Sequence, residues 1–310
     1  MRTPHPFIKL PLSFDYAKLA EEIEQFSEDD WRPHPQGFLG NSSLIFVSAN
    51  GEENYDLTGS MQPSPRLSKT PYIQQVMDSF STVVGRTRLM RLAPGASVDK
   101  HTDSHYFWRN HLRIHIPIKT TEEVAFRCGP EEVHMAAGES WTFNNWLPHS
   151  VSNRSDQDRI HLIIDTVGSA ALWKMINEEG AKTEHIEFAT RRSTDLRFET
   201  YMGLPVMPAQ ELRADLAELV DDIEASNDHL LNTKRQLGSK VDDFVRDWYS
   251  QWMIDGPNIE GFAAFKSLLE AFRKEISEVP DGVRLTSNQE AFNEAATFTL
   301  DAALVPDRFV

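Results

Sequence analysis

His101, Asp103 and His149 are the residues whose types and spacing could hold a reactive metal. Two imidazoles and one carboxylate in that order are the donors of a facial iron(II) site, which leaves other metal positions open. On an extended strand, residues i and i+2 project to one side, so His101 and Asp103 could reach one ion. His149 would have to arrive from a second strand. Ten residues later, Arg159 and His161 alternate with Ile160, Leu162 and Ile164. Arg113 and His115 alternate in the same way with Leu112, Ile114 and Ile116. Two strands with Arg-x-His on one face and aliphatic residues on the other predict a barrel with a polar-lined interior.

The elements that must position these residues follow from periodicity. Between 83 and 167 the pattern is strands separated by turns, expected at 86–92, 111–118, 123–128, 131–135, 139–144 and 159–166. Closely spaced strands of this kind predict a sandwich or barrel. Ahead of them, residues 1–12 read as an extended arm, because Pro4, Pro6 and Pro11 deny a helix. Ser13 is expected to cap a helix reaching Phe26, residues 44–47 a short strand, 51–70 a surface loop, and 72–80 a second helix.

After Gly168 the pattern turns helical. A short amphipathic helix is expected over 170–179 and irregular chain over 180–205. Pro208 suits the first turn of a helix to about Ala225. Longer apolar stripes predict helices over 229–253 and 260–277, and a fourth over 289–304 capped by Thr286 or Ser287. The aromatic stripe of Phe244, Trp248 and Trp252 reads as bundle core, and it could also form a homodimer face. Three parts are expected: 1–168, a mainly β core with N-terminal helices; 169–207, a connecting segment; and 208–310, a helical domain.

Composition excludes several classes. The 310 residues carry a formal net charge of −16, which leaves nothing broad to neutralise phosphates and argues against nucleic-acid binding. Hydrophobic residues make up 40%, enough for a core. Cys128 is the only cysteine, so no internal disulfide forms, and it reads as a small packed residue. The start lacks the apolar run of a signal peptide, and no 18-residue apolar stretch exists. The expectation is a cytoplasmic protein that does not bind membranes.

Around the triad the sequence resembles known families. Gly95 followed by His101-Thr-Asp103, and Gly138, Phe143, His149 and Asn153, resemble the two motifs of the cupin-type double-stranded β-helix. More closely, residues 85–167 resemble the aspartyl/asparaginyl β-hydroxylase family of Fe(II)/2-oxoglutarate-dependent dioxygenases, and within it the bacterial free-proline hydroxylase branch. The residues that carry this are Arg91 to Gly95, His101 to Asp103, Leu112 to His115, Leu147 to Ser150, and Arg159 to Asp165. That branch also has a helical C-terminal region. The animal peptidyl hydroxylases of the family lack the carboxylate ligand, so Asp103 sets this chain apart from them.

The resemblance implies a jelly-roll, cupin-like fold and an enzyme that binds Fe(II), 2-oxoglutarate and O2. It implies hydroxylation of a small polar substrate, a free or carrier-bound amino acid, with release of succinate and CO2. His101, Asp103 and His149 would hold the metal. Arg159 matches the position that holds the distal carboxylate of 2-oxoglutarate, for which a guanidinium offers a two-pronged partner. Arg113 and His115 match positions that contact 2-oxoglutarate or the acidic end of the substrate. Trp108, Arg109 and Trp146, next to the ligands in sequence, are candidates for the substrate wall. His105, His111, His134 and His161 read as surface or supporting residues. Two other readings remain open: hydroxylation of a peptide side chain, and a non-redox metal-binding cupin. The second has no need of an inward cation at 159.

Overall fold

The structure is a computed structural model that describes residues 1–35, 37–178, 180–190 and 193–308. The chain divides into two units. The first comprises Met1–Asp103 and Phe107–Met202, and the second comprises Ser104–Tyr106 and Gly203–Val310. Glu179 and residues 309–310, the ends of two expected segments, lie outside the described residues.

The first unit opens with β1 (Phe7–Phe14), α1 (Tyr16–Ile23), β2 (Arg32–Pro33), β3 (Asn41–Ala49), β4 (Met61–Pro63) and α2 (Pro71–Ser79). Next come β5 (Val83–Leu92), β6 (Ser97–His101), α3 (Phe107–Asn110), β7 (Leu112–Lys119), β8 (Val124–Cys128) and β9 (Glu131–Val133). It ends with β10 (Glu139–Phe143), β11 (His149–Asn153), β12 (Arg159–Gly168), α4 (Ala170–Asn177), β13 (Glu184–Ile186) and β14 (Arg197–Phe198).

Two sheets form. The larger runs β13-β1-β10-β7-β12-β5-β3-β2, and the smaller runs β6-β11-β8-β9. From β5 to β12 the chain passes back and forth between them, so the fold is a double-stranded β-helix, or jelly roll. The expected cupin-like core is therefore correct. All six strands expected between 86 and 166 are present, each end within three residues of its expected place. The strands β6 and β11 are additional, and they are the two that carry His101 and His149.

The outer face of the larger sheet is aliphatic. Leu112, Ile114, Ile116, Leu162 and Ile164 are buried there in one cluster with Leu19, Tyr72, Val76 and Leu172 from the helices. Cross-strand pairing explains the sorting. Ile163 faces His115, and Asp165 faces Arg113, so the alternating residues of β7 and β12 share the opposite, inward face. Inside, Phe7, Phe126, Cys128, Met135 and Phe143 form a second cluster.

Several local expectations are corrected. The N-terminal arm is a strand: β1 pairs antiparallel with β10 and parallel with β13. Pro11 is tolerated because it falls in an irregularity of register between Lys9 and Ser13. Ser13 therefore lies within the strand, and Asp15 caps α1 instead, accepting from the Lys18 amide at 3.0 Å. The Glu22 carboxylate accepts from the Tyr72 and Ile73 amides, each at 2.8 Å, and so satisfies the open end of α2. The expected loop over 51–70 holds β4, where Met61 is buried. The expected irregular stretch over 180–205 supplies β13 and β14 to the sheet.

The second unit is helical: α5 (Ala209–Asp221), α6 (Asp228–Asp255), α7 (Phe262–Ser277) and α8 (Phe292–Ala303). Its core includes Phe244 stacked on Phe272 at 4.1 Å and Trp248 at 4.7 Å from Phe265. The cap of α8 is Ala291, not Thr286 or Ser287. Ser287 instead hydrogen-bonds the Asp222 carboxylate. The tripeptide Ser104–Tyr106 groups with these helices, and the Tyr106 hydroxyl donates to Glu211 Oε1 at 2.7 Å. Among the described residues, no helix is long and apolar enough to cross a membrane.

Gly138 joins two parts of the larger sheet. Its carbonyl accepts from the Phe14 amide at 2.7 Å, and its amide donates to the Pro117 carbonyl at 2.9 Å. Its φ is +81°, and a Cβ there would lie 2.3 Å from the Phe14 carbonyl oxygen. Gly138→Ala should therefore lower stability by about 2 kcal/mol or more, from backbone strain plus the clash. Urea unfolding of the two proteins measures the difference.

Candidate metal and anion site

His101 and His149 are cross-strand partners on β6 and β11. Their rings stand 4.3 Å apart. Asp103 lies just past the end of β6, so the shared-strand geometry holds only for His101. The Asp103 amide donates to the Asn145 carbonyl at 3.1 Å, which draws the carboxylate back beside the histidines. Asp103 Oδ2 is 3.9 Å from His149 Nε2. One candidate donor atom from each of the three residues falls within 4.8 Å of the others.

The histidines are oriented as ligands require. His101 Nδ1 lies 2.7 Å from the Asp99 carbonyl oxygen, and His149 Nδ1 lies 2.9 Å from that of Leu147. A carbonyl only accepts, so each Nδ1 carries the hydrogen and each Nε2 presents its lone pair. Burial, reinforced by the neighbouring His101 and Arg113 and opposed by Asp103, takes His149 down to about 4. The ring is thus neutral at neutral pH, as a metal ligand must be. Asp103 Oδ2 is buried without a hydrogen-bond partner. An ion would supply what this oxygen lacks, so the donor set fits a divalent metal such as iron(II).

Arg159 lies on the same inward face and is 5% exposed. Its NH2 donates to His161 Nδ1 at 2.8 Å. His161 Nδ1 is in turn 3.5 Å from His115 Nδ1. Arg159 Nε, His161 Nε2 and His115 Nε2 are buried with no partner. Burial alone brings Arg159 down to about 9. Burial together with Arg159 holds both histidines well below their ordinary value, so they stay neutral. A cation with neutral neighbours and unmet donors at Arg159 Nε and His161 Nε2 fits a carboxylate of an entering ligand. The rings of Phe126 and Phe143, 5.5 and 5.4 Å from His115, form the apolar wall beside it.

Arg113 lies elsewhere. Its Nε donates to Asp165 Oδ1 at 2.8 Å, and its NH1 is 3.7 Å from Asp103 Oδ2. Asp165 is six residues from Arg159 on β12, or about 20 Å of strand. Arg113 and Arg159 thus serve opposite ends of the interior, with His115 at the Arg159 end. Two further residues meet Asp165: Arg86 at 3.0 Å and Arg88 at 3.6 Å. Burial opposes the charge of Asp165, yet Arg113, Arg86 and Arg88 outweigh it and hold the carboxyl well below the usual range. Sequence reasoning missed Arg86, Arg88 and the role of Asp165. The signal was present: Arg86 and Arg88 alternate on β5 as Arg113 and His115 do on β7.

The remaining candidates divide. Trp108 lies over the Arg113 guanidinium at 4.3 Å. Arg109 and Trp146 pair with one another at 5.4 Å, and Arg2 also covers Trp146, at 4.7 Å. His111 bonds the Phe107 carbonyl through Nδ1 and Glu199 through Nε2. His134 bonds the Val124 carbonyl, and the His105 ring lies 5.7 Å from Phe298 in the helical unit.

Comparison with known proteins bears on this site. Residues 48–168 match the family model described as aspartyl/asparaginyl beta-hydroxylase. An L-proline cis-4-hydroxylase from Rhizobium meliloti (strain 1021) is 22% identical over 206 residues, covering 63% of this chain and 74% of that protein. Among solved structures, a 2OG-Fe(II) oxygenase-family oxidoreductase from Burkholderia pseudomallei is similar at a TM-score of 0.37 and 11% identity, covering 52% of this chain and 84% of its own. A non-heme alpha-ketoglutarate-dependent epimerase from nogalamycin biosynthesis reaches 0.38 at 10% identity, covering 58% and 88%.

Two variants test the geometry. Asp103→Ala should weaken iron(II) binding at least ~100-fold, the upper end of what even outer partners of a metal contribute. It should lower the melting temperature far less than loss of Asp165 does, since Oδ2 makes no hydrogen bond and its contact with Arg113 is 3.7 Å; anaerobic titration and thermal melting measure the two effects. Asp165→Asn should cost ~3–5 kcal/mol of stability at neutral pH, because it leaves three guanidiniums without their anion. The sign with pH follows from the lowered pKa. The contribution of Asp165 is present above the unfolded value of about 3.9 and is lost only as pH falls through the folded one. Urea unfolding at neutral pH gives the magnitude.

Proposed function

We propose, from the match of residues 48–168 to the aspartyl/asparaginyl beta-hydroxylase model, that this chain is an Fe(II)/2-oxoglutarate-dependent hydroxylase of a small polar substrate, a free or carrier-bound amino acid. The observation that carries the reading is Arg159: a buried guanidinium on the inward face of the larger sheet, bonded to His161 and, among the described residues, with no acid acting on it. A non-redox metal cupin has no use for that charge. A 2-oxo diacid that chelates the metal needs a cation for its far carboxylate.

His101, Asp103 and His149 would hold the metal, and Arg159 would receive the distal carboxylate as a two-pronged donor. His161, neutral and with its Nδ1 accepting from Arg159, would donate its unmet Nε2 hydrogen toward the same ligand. Bound iron(II), with 2-oxoglutarate and dioxygen, supplies the oxidation of a C–H bond to C–OH as the oxo acid becomes succinate and CO2. Phe126 and Phe143 keep water from the chelated end. Trp108 and Arg113 border the opposite side, where the substrate would lie. The similarity to a proline hydroxylase supports an amino acid substrate, and the arginines there support one bearing a carboxylate.

Arg159→Lys keeps the charge but loses the fork. It should raise the 2-oxoglutarate concentration needed for half-maximal succinate formation about ten-fold or more, equivalent to about 1.4 kcal/mol. Arg113→Lys should change substrate dependence instead. An unchanged 2-oxoglutarate requirement in the Arg159 variant would return the chain to the non-redox reading.

A further inference from the structure

The inward end of the barrel away from Arg159 holds more positive charge than its surroundings cancel. Arg113, Arg86 and Arg88 all reach Asp165, which has no exposure. One carboxylate therefore answers three guanidiniums, and two positive charges remain. Nearby acids do not close the gap. Glu199 bonds His111 Nε2 at 2.8 Å, and the acids that act on Arg86, Arg88 and Arg113 are Asp165 and Asp103. Asp103 belongs to the metal. In the proposed reading a divalent metal, Asp103, the dianionic oxo acid and Arg159 cancel among themselves, so no negative charge is left over.

Arg88 is the least committed of the three. Its Nε donates to the Met90 sulfur at 3.3 Å, a weak acceptor, and its ion pair with Asp165 is the longest. Its cross-strand partners are Ile163 and Ile45, which offer no acceptor side chain. Its side chain is 11% exposed, against 0% for Asp165. Arg86, by contrast, bonds both Asp165 and the Tyr55 carbonyl. Aromatic faces cover part of the cluster, with Trp108 over Arg113 and Phe107 at 5.2 Å over Arg86. A ligand must then meet the guanidiniums at their edges, where carboxylates bind.

We propose that the substrate is a small dicarboxylic acid, acidic amino acids included, with one carboxylate on Arg113 and the other on Arg88. This rests on the hydroxylase reading and narrows it. A neutral amino acid brings one carboxylate and one ammonium, so it cancels none of the excess and sets its ammonium against three guanidiniums. A second carboxylate cancels one unit of the excess in an acidic amino acid, its ammonium included, and both units in a diacid that has no ammonium.

The test compares dicarboxylates of four to six carbons, aspartate and glutamate among them, with their monoamides, which differ by one charge; proline is included. Binding is measured by calorimetry on the full chain loaded with manganese and saturating 2-oxoglutarate. Succinate formation is measured with iron. The expected result is a diacid that binds at least ten-fold more tightly than its monoamide and than proline. Arg88→Met should abolish that preference, and Arg88→Lys should keep most of it, with melting temperatures confirming that both variants fold. The proposal is overturned if no diacid outbinds its monoamide, or if Arg88→Met leaves the preference intact. Labelled succinate formed from labelled 2-oxoglutarate by the iron-loaded wild type, with each compound of the panel present in turn, reports the hydroxylase reading separately. If none forms while the diacid preference stands, that reading fails and the charge preference survives.

Discussion

Asp165 is a carboxylate at zero exposure, and the inward face of the larger sheet depends on its staying ionised. Burying a lone charge is costly, and the arginines that offset the cost come from two different strands, Arg113 from β7 and Arg86 and Arg88 from β5. The pairing is therefore also a device for register. A slip of one residue between β7 and β12 would send Asp165 into the aliphatic layer of Ile114 and Leu162. With Asp165 opposite Arg113, His115 must face Ile163, and Arg159 and His161 must face inward at the far end.

The smaller sheet has no such charge. The strands β6 and β11 are short and largely polar, and besides pairing and the packing of Val151 on the inner apolar cluster one polar side chain fixes their end. Asn153, 1% exposed at the end of β11, donates to the carbonyls of Leu92, Ala93 and Gln157 at 3.0, 3.1 and 2.7 Å. It thereby ties the end of the His149 strand to the end of β5. The register of β11 on β6 then sets the two histidines side by side. The triad is thus placed by hydrogen bonds at strand ends, whereas Arg86, Arg88 and Arg113 are placed by ion pairs to Asp165.

This difference governs how much the sequence revealed. The strands β5, β7 and β12 alternate sharply, so their faces were legible, and so was the polar interior. The triad was legible from residue types, although neither strand that bears it shows alternation: in β6 only Val98 is buried. Asp15, not Ser13, caps α1 because β1 continues through Pro11, and local propensity does not record a distant partner strand. The pairing of Asp165 with β5 was illegible for the same reason. It joins residues about eighty positions apart, and only the sheet order shows that β5 adjoins β12.

The two ends of the interior face the same problem and meet it differently. At one end, a cluster of guanidiniums keeps its own acid, so Asp165 holds the strands together whether or not a ligand is present. At the other, Arg159 has only neutral histidines, and burial has already lowered its pKa to about 9. A carboxylate arriving there repairs a charge that the fold leaves uncompensated, so part of the free energy spent on burying Arg159 returns on binding. The permanent anion belongs where the sheet needs register, and the missing anion belongs where a ligand must come and go. In the proposed reading this separates a consumable acid, replaced at each turnover, from an acid that can never leave.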